Sequence, residues 1–107
     1  MASSSPRTAR SRVPLEVWKF GGASLASADQ IQKAAALIAK HHGPLVIVPS
    51  ALSRITDLLL GGGAHALAGR RAEVSKAAAT FLRRHREVVR ALVPAGLTRR
   101  KLLAAVD

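Results

Sequence analysis

The chain of 107 residues has room for one domain at most. Almost half of it, 49%, is hydrophobic, which is typical of a folded protein rather than a disordered one. It contains no cysteine, so disulfide bonds, thiolate metal sites and cysteine nucleophiles are excluded. The formal net charge of +11 indicates an anionic partner, such as a nucleotide, a nucleic acid or a membrane surface.

The basic residues are scattered from end to end, and three aromatic side chains are too few to build a base-stacking surface. We therefore interpret the arginines as solvated helix faces and do not expect nucleic acid as a partner. No apolar run reaches the roughly 20 residues of a membrane span, and no secretory signal is visible, so a cytoplasmic protein without membrane contact is predicted. Residues 1–13, rich in Ser and Arg, are predicted to be a disordered basic tail, with a short organelle transit segment as the alternative.

The first element of the folded part, residues 14–107, is a strand that runs into a glycine loop. The strand is predicted over about Leu15–Phe20, and the loop Lys19–Ser24 reads KFGGAS. A helix that begins just after such a loop gathers unpaired backbone N–H groups around one point, which favours phosphate. Lys19 would add a full positive charge at the same place.

A capping box predicts where that first helix begins. Ser27 is the expected N-cap, and Gln30 follows three residues later, so the helix should run from Asp29 to about His41. Gly43 is the expected C-terminal cap. The pair His41–His42 is read as an exposed helix end rather than a metal site, because adjacent residues point apart and no third ligand is near.

A second strand, predicted over Leu45–Val48, is apolar at every position, as expected for a parallel strand. Strand, helix and strand with such short links make a βαβ unit. The stretch Ser50–Asp57, SALSRITD, leaves the second strand and enters a helix that should end near Leu60. Ligands bind at the carboxyl ends of parallel strands, so both loops should open at one edge of the sheet.

The remaining chain is predicted to be helical. Gly61–Gly63 is read as a flexible break, because the run lacks the Gly-Lys-Ser/Thr of a phosphate loop. A long helix is predicted from about Arg70 to Leu92, with His85 in its apolar seam as a core or boundary residue. Pro94–Gly96 should end that helix, and Thr98 is the expected cap of a last one.

Both loops resemble motifs of a known family. KFGGAS at Lys19–Ser24 resembles the Lys-Phe-Gly-Gly-Thr/Ala-Ser opening of aspartate kinases, within the amino-acid kinase superfamily. SALSRITD at Ser50–Asp57 most resembles the Ser-Ala-Met-Ser-Lys-Val-Thr-Asp form of bifunctional aspartokinase–homoserine dehydrogenases. The resemblance implies the N-terminal part of a three-layer αβα sandwich, a βαβ unit followed by helices.

The resemblance also implies an activity and a set of site residues. The activity is transfer of the γ-phosphoryl group of ATP, with Mg²⁺, to the β-carboxylate of L-aspartate. Lys19 would be catalytic, and Thr56 would hold the amino-acid substrate. No residue is assigned to a metal. The residues expected to bind ATP are Lys19, Gly21, Gly22, Ser24 and Ser50.

Aspartate kinase domains are longer than this chain, so the resemblance implies an N-terminal fragment that is inactive alone. Its expected partners, besides ATP and L-aspartate, are the rest of the kinase or further copies of itself. Two alternatives stay open at this point. The chain could be a segment of another amino-acid or carbamate kinase, or a non-catalytic basic module that binds nucleic acid or a partner chain.

Overall fold

The computed structural model describes residues 13–107, so the predicted tail lies outside the described residues except for Val13. A short 3-10 turn, Gly22–Leu25, follows the first strand. The strands and helices, in chain order, are β1 (Glu16–Phe20), α1 (Ala28–Lys40), β2 (Leu45–Pro49), α2 (Ile55–Leu67), α3 (Arg71–Leu92) and α4 (Leu97–Val106).

The two strands pair in parallel, with α1 between them in the chain. The register runs from Glu16 opposite Leu45 to Phe20 opposite Pro49. The predicted mixed α/β architecture, with a βαβ unit followed by helices, is confirmed. The all-apolar sequence of β2 is typical of a strand covered on both faces, but four of its five residues, Val46–Pro49, are exposed among the described residues.

Helix α1 begins as its sequence predicts and ends differently. The Ser27 hydroxyl accepts a hydrogen bond from the backbone N–H of Gln30 at 3.3 Å, which caps the helix N-terminus. The C-terminal cap is His41 rather than Gly43, so that prediction was wrong. Gly43 instead supplies the turn into β2. Its φ is +108°, and a Cβ there would lie 2.6 Å from Cγ1 of Val13.

His41 is not the exposed helix end that the sequence suggested. Its side chain is 12% exposed, and its ring packs edge-on against Trp18 with centroids 5.0 Å apart. Its Nε2 lies 3.6 Å from the carboxylate of Glu16. The prediction of an exposed His41 was wrong because it considered the helix end alone, whereas β1 places the Trp18 ring against the His41 ring. His42 is exposed, as expected.

Helix α2 continues through Gly61–Gly63, so the predicted flexible break was wrong. Glycine weakens a helix without removing its hydrogen bonds, and neighbouring contacts can outweigh that cost. Here α2 packs against α3, and a Cβ on Gly62 would lie 3.5 Å from the Cβ of Ala77. Gly62 therefore lies in the interface between the two helices, and a Cβ there would make an ordinary van der Waals contact with Ala77.

Helix α3 contacts α1 and α4 as well as α2, which makes it the platform of the helical half. His85 lies at its boundary, as predicted, with Nδ1 2.7 Å from the carbonyl oxygen of Phe81. Helix α3 ends at Leu92, and Gly96, directly before α4, has φ +151°. Thr98 lies inside the first turn of α4 and does not cap it, because the break extends through Gly96 and places the helix start at Leu97.

The described residues bury few large side chains. Ala34 of α1 and Ile55 of α2 are the buried hydrophobic residues, and Ile55 is 2% exposed. One face of the sheet is open, with Val17 64% exposed. None of the described helices combines the length and apolar character needed to cross a bilayer.

A glycine-to-alanine change in α2 tests the continuity of this helix. A Cβ added at Gly61 would meet no atom within 4 Å, so Gly61→Ala should raise the free energy of unfolding by about 0.5–1 kcal/mol. The measurement is urea denaturation followed by circular dichroism. Gly43→Ala is the matched control and should destabilise the protein, because its backbone is left-handed and the space is filled. A loss of stability in Gly61→Ala would contradict a continuous helix.

Candidate phosphate-binding site

The loops that follow the two strands meet at the carboxyl edge of the sheet. The backbone N–H of Ser50 donates to the carbonyl oxygen of Phe20 at 2.8 Å, one residue beyond the last strand pair. A Cβ on Gly22 would lie 3.9 Å from the Ser50 hydroxyl oxygen. Gly22 and Ser50, predicted to share one edge, are therefore neighbours in space.

The first loop presents backbone N–H groups. The N–H of Ser24 donates to the carbonyl of Gly21 at 3.0 Å and closes the 3-10 turn. The N–H groups of Gly22 and Ala23 open that turn, so they have no acceptor within it. Gly21 has an ordinary extended backbone, and a Cβ there would meet nothing within 4 Å. Glycine at this position is thus not required by conformation. It leaves open space above the loop.

Lys19 lies one residue before the end of β1 and is exposed. Side chains alternate along a strand, so Lys19 shares a face with Val17 and, through the register, with Val46 and Val48. Within residues 13–107 no carboxylate lies within ion-pair distance of its ammonium group. A lysine at a loop edge without an internal counter-ion is available to an anionic ligand.

The second loop, Ser50–Arg54, carries local strain. The Ser50 hydroxyl donates to the carbonyl of Ala51 at 2.6 Å, so it is held close to the backbone. Arg54 has φ 67° and ψ 3°, a left-handed conformation that side-chain-bearing residues rarely adopt. The next residue, Ile55, is the most buried side chain of the described chain. Strained residues fixed by a buried neighbour occur often at binding sites.

One residue of this region was missed from the sequence. Nη1 of Arg84, on α3, donates a hydrogen bond to the backbone carbonyl of Ser53, 31 positions earlier in the chain. Helix α3 contains several arginines, and no sequence pattern distinguishes Arg84 from the others. Only the packing of α3 beside the second loop identifies the contact.

The remaining predicted residues lie further along the loops. Ser24 is exposed within the 3-10 turn, two residues after Gly22. Thr56 is exposed in the first turn of α2. Within residues 13–107 no hydrogen bond joins the Thr56 side chain to either loop, whereas Gly22 and Ser50 are neighbours. The roles given to all these residues stay predictions.

Among residues 13–107 no cluster of three or more His, Cys, Asp or Glu side chains is arranged to hold a metal ion. The site therefore consists of backbone N–H groups, hydroxyl groups and one ammonium group. All three are partners for phosphate oxygens. The arrangement fits a ligand that carries its own negative charge.

A comparison with protein families places nearly all of the described chain in one of them. The model of the amino acid kinase family matches residues 14–106. The search of curated proteins and the search of solved structures each gave no significant match. The match includes both strands and both loops of the site.

The strained residue of the second loop provides a stability test. Arg54→Gly should raise the free energy of unfolding by up to about 1 kcal/mol, because glycine adopts the left-handed backbone without a side-chain clash. Arg90→Gly, in the last turn of α3 with ordinary helical backbone, is the control and should lower it by up to about 1 kcal/mol. Chemical denaturation of both variants measures whether each substitution raises or lowers the free energy of unfolding. Equal losses in both would show that Arg54 is not strained.

Proposed function

The chain belongs to the amino acid kinase family, and on that premise we propose that it forms the phosphate-binding end of an aspartate kinase. Members of this family are kinases, so the reaction class is phosphoryl transfer with ATP as the donor. The observation that carries the proposal is the proximity of Gly22 and Ser50 at the sheet edge where β1, which carries Lys19, ends. Those three residues come from the two motifs that resemble aspartate kinases.

The proposed reaction needs little chemistry from the protein. An oxygen of the aspartate β-carboxylate attacks the γ-phosphorus of ATP, the bond from that phosphorus to the bridging oxygen of ADP breaks, and β-aspartyl phosphate and ADP are released. The carboxylate is already ionised at neutral pH, so no general base is required. Positioning and charge neutralisation supply most of the catalysis in such a reaction.

The residues of the first loop suit those two tasks. The N–H groups of Gly22 and Ala23 are proposed to bind phosphate oxygens, and the absence of a side chain at Gly21 leaves room for their approach. Lys19 is proposed to neutralise the charge that gathers on the transferring group. No step is assigned to a metal held by the described residues, and Mg²⁺ is proposed to enter bound to the nucleotide.

The choice of aspartate rests on the resemblance of both loops to aspartate kinases, and the candidate acceptor residue lies in the second. The stretch Ser50–Asp57 resembles the aspartate-kinase motif, and Thr56 and Asp57 lie in the first turn of α2. A hydroxyl at Thr56 can hydrogen-bond an amino-acid substrate. Other amino-acid carboxylates and carbamate are the competing acceptors within the same reaction class. Turnover measured with each acceptor in a complete kinase domain that carries this segment tests the choice directly.

Removal of the Lys19 charge should affect catalysis more than binding. In a complete kinase domain that carries this segment, Lys19→Ala should lower kcat by at least about a hundredfold, because its charge is needed most in the transition state. Steady-state kinetics with ATP and L-aspartate measure it. Lys33→Ala, an exposed lysine of α1, is the control and should leave kcat unchanged. Equal rates in Lys19→Ala and the control would remove Lys19 from the mechanism.

Removal of the Thr56 hydroxyl should act on the acceptor instead. Thr56→Val keeps the shape and deletes one hydrogen bond to a substrate group, which costs roughly 1–3 kcal/mol. The KM for aspartate should therefore rise by about one to two orders of magnitude, while the KM for ATP changes little. Thr98→Val, exposed in α4, is the matched control. An unchanged KM for aspartate in Thr56→Val would show that Thr56 does not bind the acceptor.

A further inference from the structure

We propose that Arg84 is a positioning residue for the ATP phosphates, acting through the backbone of the second loop. This inference rests on the proposed function, since it assigns Arg84 to the same site. Arg84 does not reach the sheet edge itself. Its contact is with the Ser53 carbonyl, three residues after Ser50.

The second loop is bound to β1 at its start and to α3 near its end, and its Leu52 and Arg54 carbonyls accept hydrogen bonds from α2. At its start the Ser50 N–H is bound to Phe20 of β1. Near its end the Ser53 carbonyl is bound to the Arg84 guanidinium. Between them no backbone N–H of residues 51–54 donates a backbone hydrogen bond within the described chain. Arg84 is therefore the anchor that connects the free part of the loop to the helical platform.

The position of Arg84 relates the second loop to the first. Its side chain is half-buried and borders a cavity of about 300 Å³ between α3 and the start of α1. Ser27 and Ala28, which follow the glycine loop, line the same cavity, and so does Leu52 of the second loop. The Arg84 side chain thus lies where α3 meets both the start of α1 and the second loop.

The arginines near Arg84 on α3 form ion pairs with carboxylates of the described chain, unlike Arg84. Arg83 pairs with Glu87 on the same helix, and Arg86 pairs with Asp107 at the end of α4. Arg84 has no carboxylate partner within residues 13–107. Its charge is consequently not cancelled locally, and it adds positive potential beside a loop proposed to face phosphate.

The strained conformation of Arg54 explains why an anchor is needed. A left-handed residue persists only where its surroundings hold it, and Arg54 directly follows the carbonyl that Arg84 binds. If the bond to Ser53 is removed, the loop can relax toward ordinary backbone angles. Ser50 would then lose its fixed position opposite Gly22.

The test uses a complete kinase domain that carries this segment, assayed with ATP and L-aspartate. Arg84→Met keeps the aliphatic stem and deletes the donors, and Arg84→Lys restores a single donor. The control is Arg90→Met, an exposed arginine of the same helix. Arg83→Met is unsuitable, because it would release Glu87, which borders the same cavity.

We expect Arg84→Met to raise the KM for ATP about tenfold and Arg84→Lys to recover part of that loss, with Arg90→Met unchanged. A variant that only unfolds a fraction of the molecules lowers the apparent kcat and leaves KM unaltered, so KM separates positioning from general stability. An unchanged KM for ATP in Arg84→Met would overturn the inference while wild-type turnover upholds the proposed function. Absence of wild-type turnover with aspartate would instead defeat the proposed function, and this inference with it.

Discussion

The parallel pairing of β1 with β2 ends in a single hydrogen bond, from the N–H of Ser50 to the carbonyl of Phe20. This bond sets which loop residues face each other. A register shift of one residue would turn every β2 side chain to the opposite face of the sheet and would move Ser50 away from Gly22. The site therefore depends on strand register before it depends on any side chain.

One face of β1 is packed against the end of α1. Trp18 donates to Glu16 along the strand at 3.1 Å and supports the ring of His41, which locks the end of α1 onto β1. The opposite face carries Val17 and Lys19 and is open. The packed face thus joins the end of α1 to β1, and the open face exposes the one charge that the proposed mechanism needs.

The parts of the fold with local causes could be predicted from the sequence. Both strands, the capped start of α1 and the shared sheet edge follow from apolar runs, a capping box and short links. The path of α2 through Gly61–Gly63 could not, since it is supported by packing against α3, where Ala77 faces Gly62. The bond from Arg84 to Ser53 was hidden for the same reason. A local sequence pattern indicates the conformational preference of one segment, whereas these two features arise from packing between segments.

The positive charge of the chain is concentrated in its C-terminal helices. Ten of the 17 basic residues lie in residues 70–107, against three acidic ones, so the helical half carries most of the net charge. Six of those ten already have polar partners within the described chain, which are carboxylates, backbone carbonyls or a histidine. A surface built for a polyanion would keep its cations free to replace counterions. Four of the ten join different helices or loops to one another, and two pair within α3, which favours a structural use for these side chains.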